Sequence, residues 1–222
     1  MQSMSAASST LGRRRQTLGE EIANSVSHGA ALVAVIVGIP FLILDAVRSG
    51  SAAFVVGVSV FSATMVVLYL SSTLYHAMPQ GRAKRVFRVV DHSVIFLMIA
   101  GTYTPFTLGV LGGPWGWTLF GLVWGLAGLG VLLKSFNGLS HPVLSTGLYL
   151  LMGWLVVIAI VPLYNLMPTP GLMWLVAGGL AYTGGVVFYA LDQRVRYGHF
   201  IWHLFVIAGT VCHYFAILWY GA

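Results

Sequence analysis

Seven apolar blocks, each about as long as a bilayer is thick, occupy nearly the whole chain. Their approximate limits are 27–47, 53–76, 88–109, 115–134, 142–163, 171–191 and 198–220. A helix needs about 20 apolar residues to cross the hydrocarbon core. Lipid offers no partner to a backbone N–H or C=O, so only helices and closed barrels span it. These blocks are roughly twice the length of a barrel strand. The pattern predicts an all-α integral membrane protein, a bundle of seven transmembrane helices.

Composition excludes the soluble alternative. Only 7 % of the 222 residues are charged and 58 % are hydrophobic, whereas a soluble domain carries about 25 % charged residues. One bundle over residues 27–222 leaves residues 1–26 as an N-terminal segment. Residues 1–13, rich in Ser, Ala and Met, read as a disordered tail. Residues 16–26 read as a short interfacial helix leading into the first span. A cleavable leader is not expected, because the first block follows Glu20 and Glu21 and is longer than a leader's apolar core. The single cysteine, Cys212, has no internal disulfide partner.

The charge distribution predicts the orientation. Cytoplasmic loops are enriched in Lys and Arg. With the N-terminus inside, the inner segments hold Arg13, Arg14, Arg15, Arg82, Lys84, Arg85, Arg88, Lys134, Arg194 and Arg196, and the outer segments hold Arg48 alone. The N-terminus is therefore expected in the cytoplasm and the C-terminus outside. The basic clusters suit anionic lipid headgroups, and no nucleic-acid partner is expected. Gly121 and Gly125, four apart, suit a close helix approach or ordinary packing. Pro105 should kink the third span or lie near its end. Trp115 and Trp117 read as interfacial anchors.

Ionisable residues inside spans are costly and tend to mark function. The expected topology brings five polar groups to one membrane face. His76 ends the second span, with Ser72 one helical turn deeper. Asp91 lies near the start of the third span. His199 and His203 lie in the first two turns of the seventh. Four-residue spacing stacks two imidazoles on one helix face. His76 would complete three nitrogen ligands with a fourth position open, the pattern of a catalytic zinc. Asp91 could bond a metal-bound water or a ligand's second ring nitrogen, and Ser72 could touch a substrate oxygen. The alternatives are an interfacial His76, an Asp91 paired to Arg88, and His199 and His203 as packed interior groups. His28 could join the cluster. His92 points about 100° away from Asp91, His141 reads as interfacial, and His213 reads as a packing or hydrogen-bonding residue.

Three segments carry a resemblance: EEIANSVSHGAAL from Glu20, SSTLYHAMPQGRAKRVFRVVDHSVIFLMIAGTYTPF from Ser71, and GHFIWHLFVIAGTVCHYFAI from Gly198. They resemble the hemolysin III family, the bacterial branch of the progestin and adipoQ receptors, which belongs to a wider group with the alkaline ceramidases. The resemblance implies zinc bound by His76, His199 and His203, with Asp91 and Ser72 beside the metal-bound water. It implies a bacterial plasma membrane with the site on the cytoplasmic side. Three functions are then open. One is a zinc-dependent hydrolase of lipid amides or esters, with membrane lipids as partners and an acyl-lipid substrate in the bundle. Another is a non-enzymatic regulator of membrane lipid state with a structural zinc. The third is a pore-forming hemolysin.

Overall fold

The computed structural model describes residue 14 and residues 16–136 and 142–221. Arg13, Arg15 and His141, and the tail read as disordered, lie outside the described residues. Among the described residues there are seven helices long and apolar enough to cross a membrane. They are α1 (Leu18–Arg48), α2 (Ala52–Ala77), α3 (Arg82–Leu111), α4 (Gly113–Ser135), α5 (Val143–Leu166), α6 (Thr169–Ala190) and α7 (Gly198–Tyr220). The seven-helix membrane bundle anticipated from the apolar blocks is the observed architecture.

Two boundaries differ from the sequence reading. Helix α1 starts at Leu18 and runs without a break into the first span, so the short helix expected over 16–26 is its first turns. Thr17 caps it: the Glu20 N–H donates to the Thr17 hydroxyl, and the Thr17 N–H donates to the Glu20 carboxylate at 2.9 Å. That reciprocal capping satisfies two otherwise orphaned donors. Helix α3 starts at Arg82, six residues before the apolar block. Its first turns are amphipathic, with Arg82, Arg85 and Arg88 exposed and Lys84 buried.

Pro105 falls where α3 changes character. The helix is α-helical to Pro105 and π-helical over Phe106–Leu111. Proline removes one N–H and crowds the turn before it, and the π turn follows directly after it. Gly57 of α2 faces that point, where an added Cβ would come within 2.7 Å of the Pro105 Cα, so a side chain there would force the two helices apart. By contrast, a Cβ at Gly121 or Gly125 would meet nothing within 4 Å. Those two glycines support no helix approach within the described chain.

The apolar core joins α1, α2, α3 and α7. Leu42, Phe54, Val58, Phe61 and Ala216 are among its fully enclosed side chains. A smaller cluster around Phe96, Val123 and Met152 ties α4 and α5 to α3. Lipid-facing surfaces are apolar too: Val33, Val37, Leu132, Val161 and Met173 are each more than half exposed. The polar content is concentrated where α1, α2, α3 and α7 meet at the end carrying the basic loops.

Candidate metal centre

Helix α2 ends in His76, and α7 begins with His199 and His203 on one face. One nitrogen from each of the three rings lies within 4.8 Å of the others. Ring centroids stand 5.1 Å apart for His76–His199 and for His76–His203, and 4.8 Å apart for His199–His203. The three sequence candidates are therefore brought together, and they could hold a metal ion. Nitrogens about 2.0–2.1 Å from one tetrahedral ion stand roughly 3.3 Å apart, so a bound ion would draw the three rings closer together.

What holds these rings comes mainly from the start of α1. His76 Nδ1 lies 2.8 Å from Glu21 Oε2. His203 Nδ1 lies 3.2 Å from the Asn24 carbonyl oxygen and 3.3 Å from Ser27 Oγ. His199 Nδ1 faces Asp192 Oδ2 at 3.5 Å, across the loop before α7. For His76 and His203, the acceptors at Nδ1 place the ring hydrogen there and leave Nε2 with its lone pair. His76 Nε2 is buried and has no protein partner. An unpaired buried nitrogen costs free energy, and a metal ligand is one way to relieve it. Carboxylate or carbonyl acceptors behind each imidazole are the usual supports of a metal-binding histidine.

Glu20 and Glu21 divide the labour. Glu21 Oε1 also accepts from Lys84 Nζ at 2.7 Å, so one carboxylate ties His76 of α2 to the first turn of α3. Glu20 does not touch the histidines. It accepts two hydrogen bonds from Arg14, at 2.7 and 2.9 Å, and one from the Tyr197 N–H at 2.9 Å. Hydrogen bonding to Glu20 raises the Arg14 pKa above its ordinary value. Tyr197 immediately precedes α7 with a left-handed backbone, φ 59°. A non-glycine residue is seldom stable there, and the Glu20 bond helps to hold the turn that delivers His199.

Asp91 and Ser72 take the expected places. Both are buried, and both face the same cavity. Arg88 points outward, and among the described residues Asp91 forms no salt bridge. With His28, His199 and His203 they line an interior cavity of about 130 Å³. His28 is not one of the three clustered ligands. Its ring stacks on that of His203, with centroids 3.5 Å apart and planes inclined by 9°. His92, although turned away from Asp91 along the helix, also borders the cavity.

The sequence reading missed Glu21, Asn24, Ser27 and Asp192 as supports. A signal was present for α1: Glu20, Asn24 and His28 recur every four residues, a buried polar stripe on an otherwise apolar helix.

Fold and site together define a class, a seven-helix membrane protein with a three-histidine centre at one end of the bundle. A family described as Haemolysin-III related matches residues 16–214. Hemolysin-3 of Bacillus cereus is 41 % identical over 208 residues, covering 94 % of each chain. The Hemolysin-3 homolog of Bacillus subtilis (strain 168) is 42 % identical over 204 residues, covering 92 % of this chain and 95 % of that one. Monocyte to macrophage differentiation factor of Homo sapiens, a progestin and adipoQ receptor-like relative, is 30 % identical over 217 residues, covering 93 % and 86 %. The chain belongs to the haemolysin III family and is an integral membrane protein.

Proposed function

We propose that this protein is a zinc-dependent hydrolase of lipid amide or ester bonds, acting in a bacterial plasma membrane with its metal centre on the cytoplasmic side. One observation carries the reading: two of the three clustered histidines, His199 and His203, line an apolar interior cavity together with the buried Asp91 and Ser72. Imidazole nitrogens in a tetrahedral set suit zinc, and three protein ligands leave one position for chemistry. Zinc bound there would polarise a carbonyl and lower the pKa of water toward about 7.

The chain's own groups would do the rest. Asp91 accepts a proton from the attacking water as its oxygen bonds to the carbonyl carbon. The proton then passes to the leaving nitrogen or oxygen as the C–N or C–O bond breaks. Ser72, buried in the same cavity wall as Asp91, would help to orient that carboxylate. Glu21, Asn24 and Asp192 keep the imidazoles aimed at a common point. The apolar walls keep bulk water out and accept the acyl chain. The basic loops flanking the histidine end support its cytoplasmic placement.

A structural metal is the second reading, favoured by one fact: the three ligands join α2 to α7. Asp91→Asn separates the two. A fastener retains its cellular effect in that variant, whereas a hydrolase loses turnover on a panel of acyl amides and esters while keeping its metal. Wild-type protein with one zinc per chain and no metal-dependent hydrolysis across such a panel would refute the enzymatic reading.

A further inference from the structure

The cavity has a second polar end. It reaches from His203 to His213 on α7, ten residues and about 15 Å along the helix. The walls between the two ends are largely apolar, with Ile95, Met98, Ile99 and Val206 among them, which suits a polymethylene chain. His213 is 8 % exposed, and its Nε2 lies 3.1 Å from the Leu175 carbonyl oxygen. A carbonyl only accepts, so Nε2 carries the hydrogen and Nδ1 keeps a bare lone pair. That Nδ1 is buried without a partner. The ring is pinned as well, because a methyl at Gly178 would collide with it.

The hydroxyls nearby cannot satisfy Nδ1. Tyr69 donates to Thr210 at 2.8 Å, and Thr210 donates to the Val206 carbonyl at 3.0 Å. That leaves Tyr182 to donate to Thr210, also at 2.8 Å. The Tyr182 hydrogen is thereby spent and its oxygen is left as an acceptor. Further along the walls, the hydroxyls of Thr102, Tyr103, Tyr149 and Thr183 all donate to backbone carbonyls. The deep end thus offers acceptors, and its unmet need is a donor. A buried ammonium would bring a charge that no carboxylate there neutralises. A neutral hydroxyl fits.

We propose that the His213–Tyr182 end of the cavity is a subsite for a hydroxyl group carried part-way along the acyl chain of the bound lipid. The ligand class is a hydroxylated fatty acyl lipid, with its polar head at the histidine cluster and its hydroxyl donating to His213 Nδ1. This rests on the acyl-lipid reading of the cavity and is independent of whether the bond is cleaved.

The test is a binding series on the full chain, purified in detergent with its metal, using stearic acid and positional isomers of monohydroxystearic acid, read by calorimetry. One buried hydrogen bond is worth about 1 kcal/mol, roughly fivefold in affinity. The expected result is one hydroxyl position binding about fivefold or more tighter than stearic acid, with isomers on either side falling back. His213→Leu should flatten the series, leaving stearic acid binding and metal content unchanged. Equal binding of all isomers, or an optimum that survives His213→Leu, would overturn the proposal. If His213→Leu does not purify, the wild-type series decides, because a fixed separation between the two polar ends demands a positional optimum. No binding by any acid would overturn both this proposal and the acyl-lipid reading. Absence of hydrolysis alongside a clear optimum would remove only the enzymatic step.

Discussion

The two ends of the bundle are built from the same helices by different rules. At the histidine end, α1, α2, α3 and α7 bury Glu20, Asn24, His28, Ser72, His76, Asp91 and His203. At the other end the same helices bury Leu42, Ala46, Phe54, Val58, Phe106 and Ile217. Four of the five carboxylates lie toward the histidine end, and Asp45 is the exception. None of those apolar side chains has a hydrogen-bonding group to satisfy; at the histidine end several do. His28 has two buried nitrogens without partners and His76 has one. Such groups cost about 1–3 kcal/mol each when left unsatisfied, and a metal held by the three histidines could relieve the one on His76.

The sharpest way to break that contrast is to remove a ligand. His203→Ala or His76→Ala should take metal content from about one ion per chain to near zero by elemental analysis. A variant that keeps its metal would show that the cluster is not the site. Metal binding should also weaken in acid, because a ligand must be unprotonated. Next in size is Asp91→Ala. Loss of a positioned acid–base group lowers turnover by about 10²–10⁴-fold, and here the metal should stay. Glu21→Gln touches only the support behind His76. Loss of such a partner weakens metal affinity by about 10–100-fold, measurable by chelator competition. The smallest effect on the metal belongs to the apolar end. Phe54→Ala should destabilise the fold by about 3–5 kcal/mol, seen in thermal unfolding, while folded protein binds metal with unchanged affinity. A large affinity loss there would mean that the two ends are not independent.

The same contrast explains what the sequence disclosed. The spans were legible because the bilayer demands long apolar helices whatever their partners. The helix starts were less so: the first turns of α1 and α3 are polar on one face, and a hydropathy reading stops where polarity begins. His76, His199 and His203 were legible because spacing and topology place them at one depth. Glu21 and Asp192 were not. Glu21 is 55 residues from His76, and the rotation of α1 about its axis decides whether Glu20 or Glu21 faces the histidines. No periodicity argument fixes that choice between adjacent residues.

One residue also bears on how the protein is made. The Tyr103 hydroxyl of α3 reaches across to α5, where it lies 2.9 Å from the Met152 carbonyl, 2.8 Å from that of Gly153 and 2.9 Å from the Val156 N–H. There α5 tightens to a 3₁₀ turn over Leu155–Ala159. In lipid, backbone groups freed by such an irregularity have no other solvent. A newly synthesised α5 entering the bilayer alone therefore has every reason to stay a regular helix. In the finished bundle the tight turn has Tyr103 of α3 as a backbone partner, so the wall of the cavity depends on the two helices meeting.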